Sequence, residues 1–319
     1  MENSINKVLV TGGAGFIGSY LTDKLLEDGL EVHVLDSLSN GNIEYINHWR
    51  HKYQTFRFIK ADLTVKEQLD DINDNYDTIF HLAANPDVKY SSMNPKEHLD
   101  NNVIATFNIL EYARKHDINE FIFTSSSTVY GEPAKIPTPE DTPLMPISMY
   151  GASKAACESI ICSYAHMYGF KAVIYRLANI IGSRSTHGVI YDFINKLMKN
   201  DKVLEILGNG KQRKSYLHIY DCIDAMLIGL NGNDRVNIFN VGSDDYIDVI
   251  SIAKIVIDTL GLKNVKFTFI DNWNGRGWIG DVRVMLLDTN RLKRLGWRIR
   301  YNSKEAVTNV VKDISLKIT

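Results

Sequence analysis

A chain of 319 residues is long enough for one large domain or two coupled lobes. Its 45% apolar and 23% charged residues are ordinary for a globular protein, and a formal net charge of −2 offers no basic field to nucleic acid or an anionic membrane. Cys157, Cys162 and Cys222 lack metal-ligand spacing and are an odd number, no apolar run approaches the ~20 residues of a membrane span, and the first ten residues hold no apolar signal core. A cytoplasmic protein with no metal, nucleic-acid or membrane partner is the expectation.

Strand and helix patterns alternate from the start. Lys7–Thr11 is a short β-branched run, followed by a glycine turn. Residues 16–28 carry apolar side chains at helical spacing, with Gly29 placed to cap them. Glu31–Asp36 reads as a second strand ending in an acid, and 56–62 and 78–83 as further strands. A long helix is predicted over 101–116, a strand over 121–125, a helix over 150–168 and a strand over 172–177. This βαβ rhythm predicts an α/β fold, a Rossmann-type doubly wound parallel sheet.

Beyond about residue 180 the rhythm changes. Residues 187–199 read as a helix, 208–211 as a turn, 216–219 as a strand and 221–230 as a helix, and Gly275, Gly277 and Gly280 share one loop. The proline-rich stretch 133–146 reads as an ordered loop. The expected division is a dinucleotide-binding domain of 1–178 plus 216–245 and a smaller C-terminal α/β substrate-binding lobe of 179–215 plus 246–319.

Gly12, Gly15 and Gly18 form G-x-x-G-x-x-G between the first strand and a helix beginning near Phe16. Glycine permits the tight turn and lets backbone N–H groups approach a pyrophosphate, and the helix N-terminus adds donors and a favourable dipole. Asp36 ends the second strand, where a carboxylate accepts from a ribose hydroxyl and repels a 2′-phosphate. NAD is therefore expected over NADP. Asp62 follows a strand; adenine contact and local helix capping remain open for it. Leu82, Ala83 and Ala84 follow another strand with side chains small enough for close approach.

Tyr150 and Lys154 stand at i and i+4, on one helix face. A free tyrosine, with a pKa of ~10, is a poor base at neutral pH. A nearby ammonium and a nicotinamide cation favour the phenolate and make it usable. Ser126, at the end of its strand, is placed to hydrogen-bond the reacting oxygen. Alone, Y-x-x-x-K is a weak signal; joined to the glycine turn and a serine-rich strand end, it points to proton and hydride movement on an alcohol.

These residues resemble the extended short-chain dehydrogenase/reductases, most closely the UDP-glucose (UDP-galactose) 4-epimerase branch. The likeness covers nearly the whole chain. It is carried by residues 11–18, Asp36, 81–84, Asp100-Asn101-Asn102-Val103, 121–131, Tyr150 with Lys154, 176–179 and Gly280-Asp281. It implies NAD held through turnover, Tyr150 as the base at the sugar O4, Lys154 on the nicotinamide ribose and Ser126 assisting at O4. It also implies a cofactor set that includes Phe16, Ile17, Asn40, Leu63, Asn101 and Ser125, and a homodimer formed by helices pairing as a four-helix bundle. The related 4,6-dehydratases carry Thr-Asp-Glu before Val-Tyr-Gly, and the glucuronate decarboxylases a Glu; Ser126-Ser127-Thr128 stands there in this chain. Without that acid, dehydration lacks its proton carrier.

The implied UDP-sugar contacts are Ser126, Ser127, Asn179 at the diphosphate, Val189, Lys214, Tyr216, Asp281 at the uridine ribose, and Met285. Many relatives have Arg-x-Gly-Asp where this chain has Trp278-Ile279-Gly280-Asp281, and an Arg at Lys214. Lys214, Arg213, Arg276, Arg283 and Arg184 are the candidates for the missing charge. Tyr216 and His218 read first as part of a half-buried strand. Met285, at a position that makes room for an N-acetyl group in relatives, motivates tolerance of N-acetylhexosamines. An epimerase of another nucleotide sugar, a reductase of a keto sugar and a non-catalytic dinucleotide sensor are the rival readings.

Overall fold

The computed structural model describes residues 5–318. The chain divides into two compact units. The first takes Met1–Val129, Met149–Arg176 and Gly229–Phe239; the second takes Tyr130–Ser148, Leu177–Ile228 and Asn240–Thr319. Residues 130–148 and 216–228 thus belong to the second unit, whereas the division expected from sequence left them in the first domain.

The first unit is built on a seven-stranded sheet of β1 (Lys7–Thr11), β2 (Glu31–Asp36), β3 (Phe56–Lys60), β4 (Thr78–His81), β5 (Glu120–Ser126), β6 (Lys171–Leu177) and β7 (Val236–Val241). Their order is β7-β6-β5-β4-β1-β2-β3. The pairs β1–β2, β1–β4, β2–β3 and β4–β5 are parallel. Val8, Leu9 and Val10 are fully buried, as are Ile79 and Phe80, which is why these strands read as continuous apolar runs and not as alternating ones. Leu9, Ile79, Phe121 and Ile174 share one core cluster with Ile109, Leu110, Cys157 and Ile161 from two helices. The fold expected from the sequence, a doubly wound α/β sheet, is the fold found.

The register decides where chemistry collects. Thr11 pairs with Leu35 and with His81, so the turns that follow β1, β2 and β4 leave neighbouring strands at one level. Those turns carry Gly12, Asp36 and Leu82, the position at which open α/β sheets hold ligands. His81 is locked between the hydroxyls of Thr11 (2.7 Å) and Thr106 (2.9 Å), and burial lowers its pKa to about 3, so it stays neutral.

Helix α1 (Phe16–Glu27) starts one residue after Gly15 and ends at Asp28, with Gly29 at φ +87° taking the left-handed position that releases the chain into β2. The helix expected over 101–116 is two pieces, a π turn at Leu99–Ile104 and then α2 (Ala105–Lys115). Helix α3 (Met149–Tyr168) follows.

The second unit holds the strand expected at 216–219 and the helix expected at 187–199, together with strands that the sequence pattern does not mark. Val203–Leu207 pairs in parallel with Lys266–Ile270. Arg213–Lys214 lies between Ile247–Asp248 and Val284–Met285. Asn179–Ile181 pairs with Tyr216–His218. Helices Val189–Lys199, Val249–Thr259 and Ser303–Ile318 bury Phe193, Ile194, Ile252, Val256, Val307 and Val310 in one cluster. Asp248 caps the second of these by accepting from the Ser251 N–H at 2.8 Å. Among the described residues, no helix is long and apolar enough to cross a membrane, and no three acidic, histidine or cysteine side chains group as metal ligands.

Candidate active site

The turn after β1 is shaped by missing side chains. Gly12 sits at φ +70°, and a Cβ there would stand 2.7 Å from the Ala83 backbone nitrogen. A Cβ on Gly18 would stand 2.2 Å from the Gly12 carbonyl oxygen. The chain thus passes over itself and over the 82–84 segment with no room to spare. Leu82 N–H donates to the Thr11 carbonyl, which fixes that segment beside the turn. No side chain caps α1, so its first-turn donors face the turn uncapped by protein.

Asp36 closes the far side. Its carboxylate accepts from Ala14 N–H at 3.0 Å and Leu38 N–H at 2.8 Å, and Gly41 passes so near that a Cβ would meet Oδ1 at 2.8 Å. Burial raises its pKa against the pull of those two donors. Asn40 is exposed in the adjoining bend. Asp62 accepts from both the N–H and the hydroxyl of Thr64, so the carboxylate serves the turn before Glu67–Asp70 while standing after β3. Leu63 is buried, its carbonyl accepting from Asn108.

Tyr150, Lys154 and Ser126 come together at the start of α3 and the end of β5. Ser126 stands beside the Tyr150 phenol, and its hydroxyl accepts from the N–H and Oγ1 of Thr128 at 3.2 and 3.0 Å. Burial pushes the phenol up to about 12, opposed by the Ser126 contact. Lys154 is 2% exposed; its Nζ donates to the Thr124 carbonyl at 2.9 Å and lies 6.0 Å from the Tyr150 ring centroid. Burial lowers its pKa to about 8, opposed by Cys157 and Glu158. Ser127 opens a 3-10 turn, Ser127–Tyr130, and no carboxylate stands at Thr128. Asn101 lies in the π turn, its Nδ2 donating to the Glu97 carbonyl.

Behind this trio lies a network that sequence reasoning missed. Ser125 donates to Glu158 Oε1 at 2.5 Å, and Arg176 holds Glu158 through Nε at 3.1 Å and Nη2 at 2.7 Å. Arg176 and Glu158 are 4% and 3% exposed. The signal was present: Glu158 is four residues past Lys154, on the same face of α3.

In the second unit, Lys214 and Asp281 form an ion pair with one another. Asp281 also accepts from Gly277 N–H at 3.0 Å. Arg276 is engaged with Glu132 through both terminal nitrogens (2.8 and 2.7 Å) and with the Asp281 carbonyl. That contact pulls the Glu132 carboxyl below its usual range. Arg283 reaches the same carboxylate at 3.3 Å. Arg213 stacks on the exposed Tyr246 ring instead. Asn179 Nδ2 and Gln212 Oε1 are buried without a hydrogen-bond partner among the described residues. Tyr216 is buried, and burial raises its phenol; Met285 is 8% exposed and sits in register with Lys214. Val189 begins its helix, partly exposed.

Comparison with known proteins places these features in a family. The model of the NAD dependent epimerase/dehydratase family matches residues 8–242. Over 310 residues the chain is 35% identical to a Methanocaldococcus jannaschii protein provisionally named as a UDP-glucose 4-epimerase, covering 95% of this chain and 97% of that one. A crystal structure of UDP-galactose 4-epimerase is similar at TM-score 0.88 and 41% identity, covering 98% of this chain and 100% of that one. DesIV, a dTDP-glucose 4,6-dehydratase from Streptomyces venezuelae solved with NAD and TYD bound, is similar at TM-score 0.88 and 26% identity, covering 97% of each chain.

Proposed function

The chain belongs to the NAD dependent epimerase/dehydratase family, and we propose that it is a nucleotide-sugar 4-epimerase that interconverts UDP-glucose and UDP-galactose. The observation that carries this reading is the buried Lys154, its Nζ 6.0 Å from the Tyr150 ring centroid, with Ser126 beside the same phenol.

The residues around the glycine turn fit NAD. Gly12 has the positive φ and the bare Cα that a close pyrophosphate requires, α1 presents an uncapped N-terminus, and Asp36 ends β2 as a ribose acceptor. Gly15, Phe16, Ile17 and Gly18 would supply the donors, with Asn40, Asp62, Leu63, Leu82, Ala83, Ala84, Asn101 and Ser125 completing the surround. NAD, when bound, supplies the reversible hydride acceptor for C4 and a positive ring that favours the phenolate.

Tyr150 removes the proton from the sugar O4 and returns it once the ketose has turned over. Its phenol starts at about 12, too high for a base at neutral pH, so catalysis depends on charges that lower it. Lys154, with its pKa near 8, is mostly ammonium at neutral pH and is one such charge. Ser126 donates to the phenolate or to the reacting oxygen. Epimerisation asks for nothing more, whereas dehydration needs a further carboxyl, and Thr128 stands in that place. Asn179, its Nδ2 unpartnered among the described residues, Lys214 and Asp281 take the nucleotide, and Ser127, Val189, Tyr216 and Met285 complete the sugar contacts. The buried, flexible Met285 supports tolerance of an N-acetyl group. Exposed Leu99, Ile104, Phe107 and Met167 support a homodimer through these helices.

The test is purified protein with UDP-galactose and no added NAD, with products resolved by chromatography. UDP-glucose formed without net NADH is the expected result. Stoichiometric consumption of added NADH would make it a reductase, and absence of product with NAD supplied would overturn the substrate. Tyr150→Phe is expected to keep NAD and lose about 10³-fold in kcat, the scale of a general base; unchanged turnover would remove Tyr150 from its role.

A further inference from the structure

Packed against the proposed base is a histidine that the mechanism above does not use. His98 ends the short helix Pro95–His98 and leads into the π turn Leu99–Ile104. It is 0% exposed, and its ring stands edge-on to Tyr150, with centroids 6.0 Å apart and planes at 89°. Nδ1 faces Asn102 Nδ2 at 3.5 Å, and Nε2 has no hydrogen-bond partner among the described residues.

Asn102 extends the contact to the backbone of the base itself. Its Nδ2 donates to Ser153 Oγ at 2.8 Å, and Ser153 Oγ donates to the Tyr150 carbonyl at 2.8 Å. Its Oδ1 receives the Asn85 N–H at 2.8 Å. The π turn makes this possible, because one wider turn moves Asn102 away from where an unbroken α-helix would aim it; such turns recur at functional sites. Tyr150 is therefore held from two directions, at its ring by His98 and at its carbonyl by the Asn102–Ser153 link.

A buried nitrogen without a partner costs free energy that a phenylalanine or leucine would not. Burial keeps the imidazole neutral against the opposing charges of Glu97 and Asp87, so one ring nitrogen accepts and the other donates. With Nδ1 turned to the Asn102 amide donor, the proton is assigned to Nε2. We infer that His98 is a positioning residue for Tyr150, setting the plane of the phenol, and that its Nε2–H serves an oxygen present only in the loaded enzyme. This rests on Tyr150 being the base.

The test compares His98→Phe, His98→Gln and Tyr150→Phe as full-length, NAD-loaded proteins. His98→Phe keeps a ring and removes the unpaired nitrogen. It is expected to lower kcat about tenfold with KM changed less than about twofold, while the thermal midpoint holds or rises. His98→Gln, which returns an N–H donor near Nε2, is expected to recover at least about a third of kcat. Wild-type kcat in His98→Phe overturns the inference. So does a loss of kcat matched by a fall in thermal midpoint and unrepaired by Gln. If Tyr150→Phe keeps its turnover, the base assignment fails instead. An inactive Tyr150→Phe beside a wild-type His98→Phe overturns the role of His98 alone.

Discussion

The two units treat charge differently. In the first, charged side chains are buried and tied to fixed partners: Asp36 to two backbone N–H groups, Lys154 to the Thr124 carbonyl, Glu158 to Arg176 and Ser125. In the second, the charged groups proposed for the nucleotide are partly exposed and engage one another, Lys214 with Asp281 and Glu132 with Arg276 and Arg283. Among the described residues, the amides Asn179 and Gln212 are left with an unpartnered atom each. A fixed partner preorganises a group before its ligand comes; a pair that satisfies itself must be broken when the ligand comes. On the proposed function, the chemistry is set in advance and the recognition is exchanged on binding.

The strongest way to break this contrast is at Glu158. Glu158→Ala takes away the buried carboxylate shared by the Arg176 guanidinium and the Ser125 hydroxyl, and a loss of about 3–5 kcal/mol is expected, read as a fall in the denaturant midpoint. A loss under about 1 kcal/mol would mean that the network is not rigid. Lys154 sharpens the same side through pH. Its folded pKa, about 8, lies below the ordinary 10.5, so the unfolded chain binds more protons between these values. Stability of the ligand-free protein should therefore rise from pH 8 to 10.5 relative to Lys154→Met, and stay flat below 8. A difference that falls over that window would reverse the sign assigned to burial.

The smallest expected effect is at Lys214. Lys214→Met removes one cation from the self-engaged pair; KM for the nucleotide sugar should rise about tenfold, or about 1.4 kcal/mol, with kcat little changed. Raising salt should narrow the gap between variant and wild type, since the pair is partly exposed. A fall in kcat with KM unchanged would place Lys214 with the chemistry instead.

Much of the first unit was legible. β1 and β2 were readable to the residue, because strands buried on both faces show as apolar runs and glycine punctuates them. The i, i+4 spacing alone put Tyr150 and Lys154 together. Less was legible where meaning lies in partners far apart in sequence. Nothing near Glu132 announces Arg276, and nothing near Lys214 announces Asp281. The π turn reads as plain helix in the sequence, since one widened turn leaves apolar periodicity nearly intact, and His98 is hidden with it. β7, Val236–Val241, escapes the same reading because Asn237 and Asn240 interrupt its apolar residues and its short run follows the turn-like 231–235.

The division of the chain into interleaved segments carries a consequence for its synthesis. The polypeptide crosses from one unit to the other after Val129, Ser148, Arg176, Ile228 and Phe239. The first unit cannot complete its sheet until the ribosome has released β7, long after the glycine turn and the Tyr150 helix have emerged. Until then β6 is an open edge of buried-type residues, Ala172 to Tyr175 among them, exposed to any other strand in reach. A nascent chain paused before residue 236 is left with that edge unpaired.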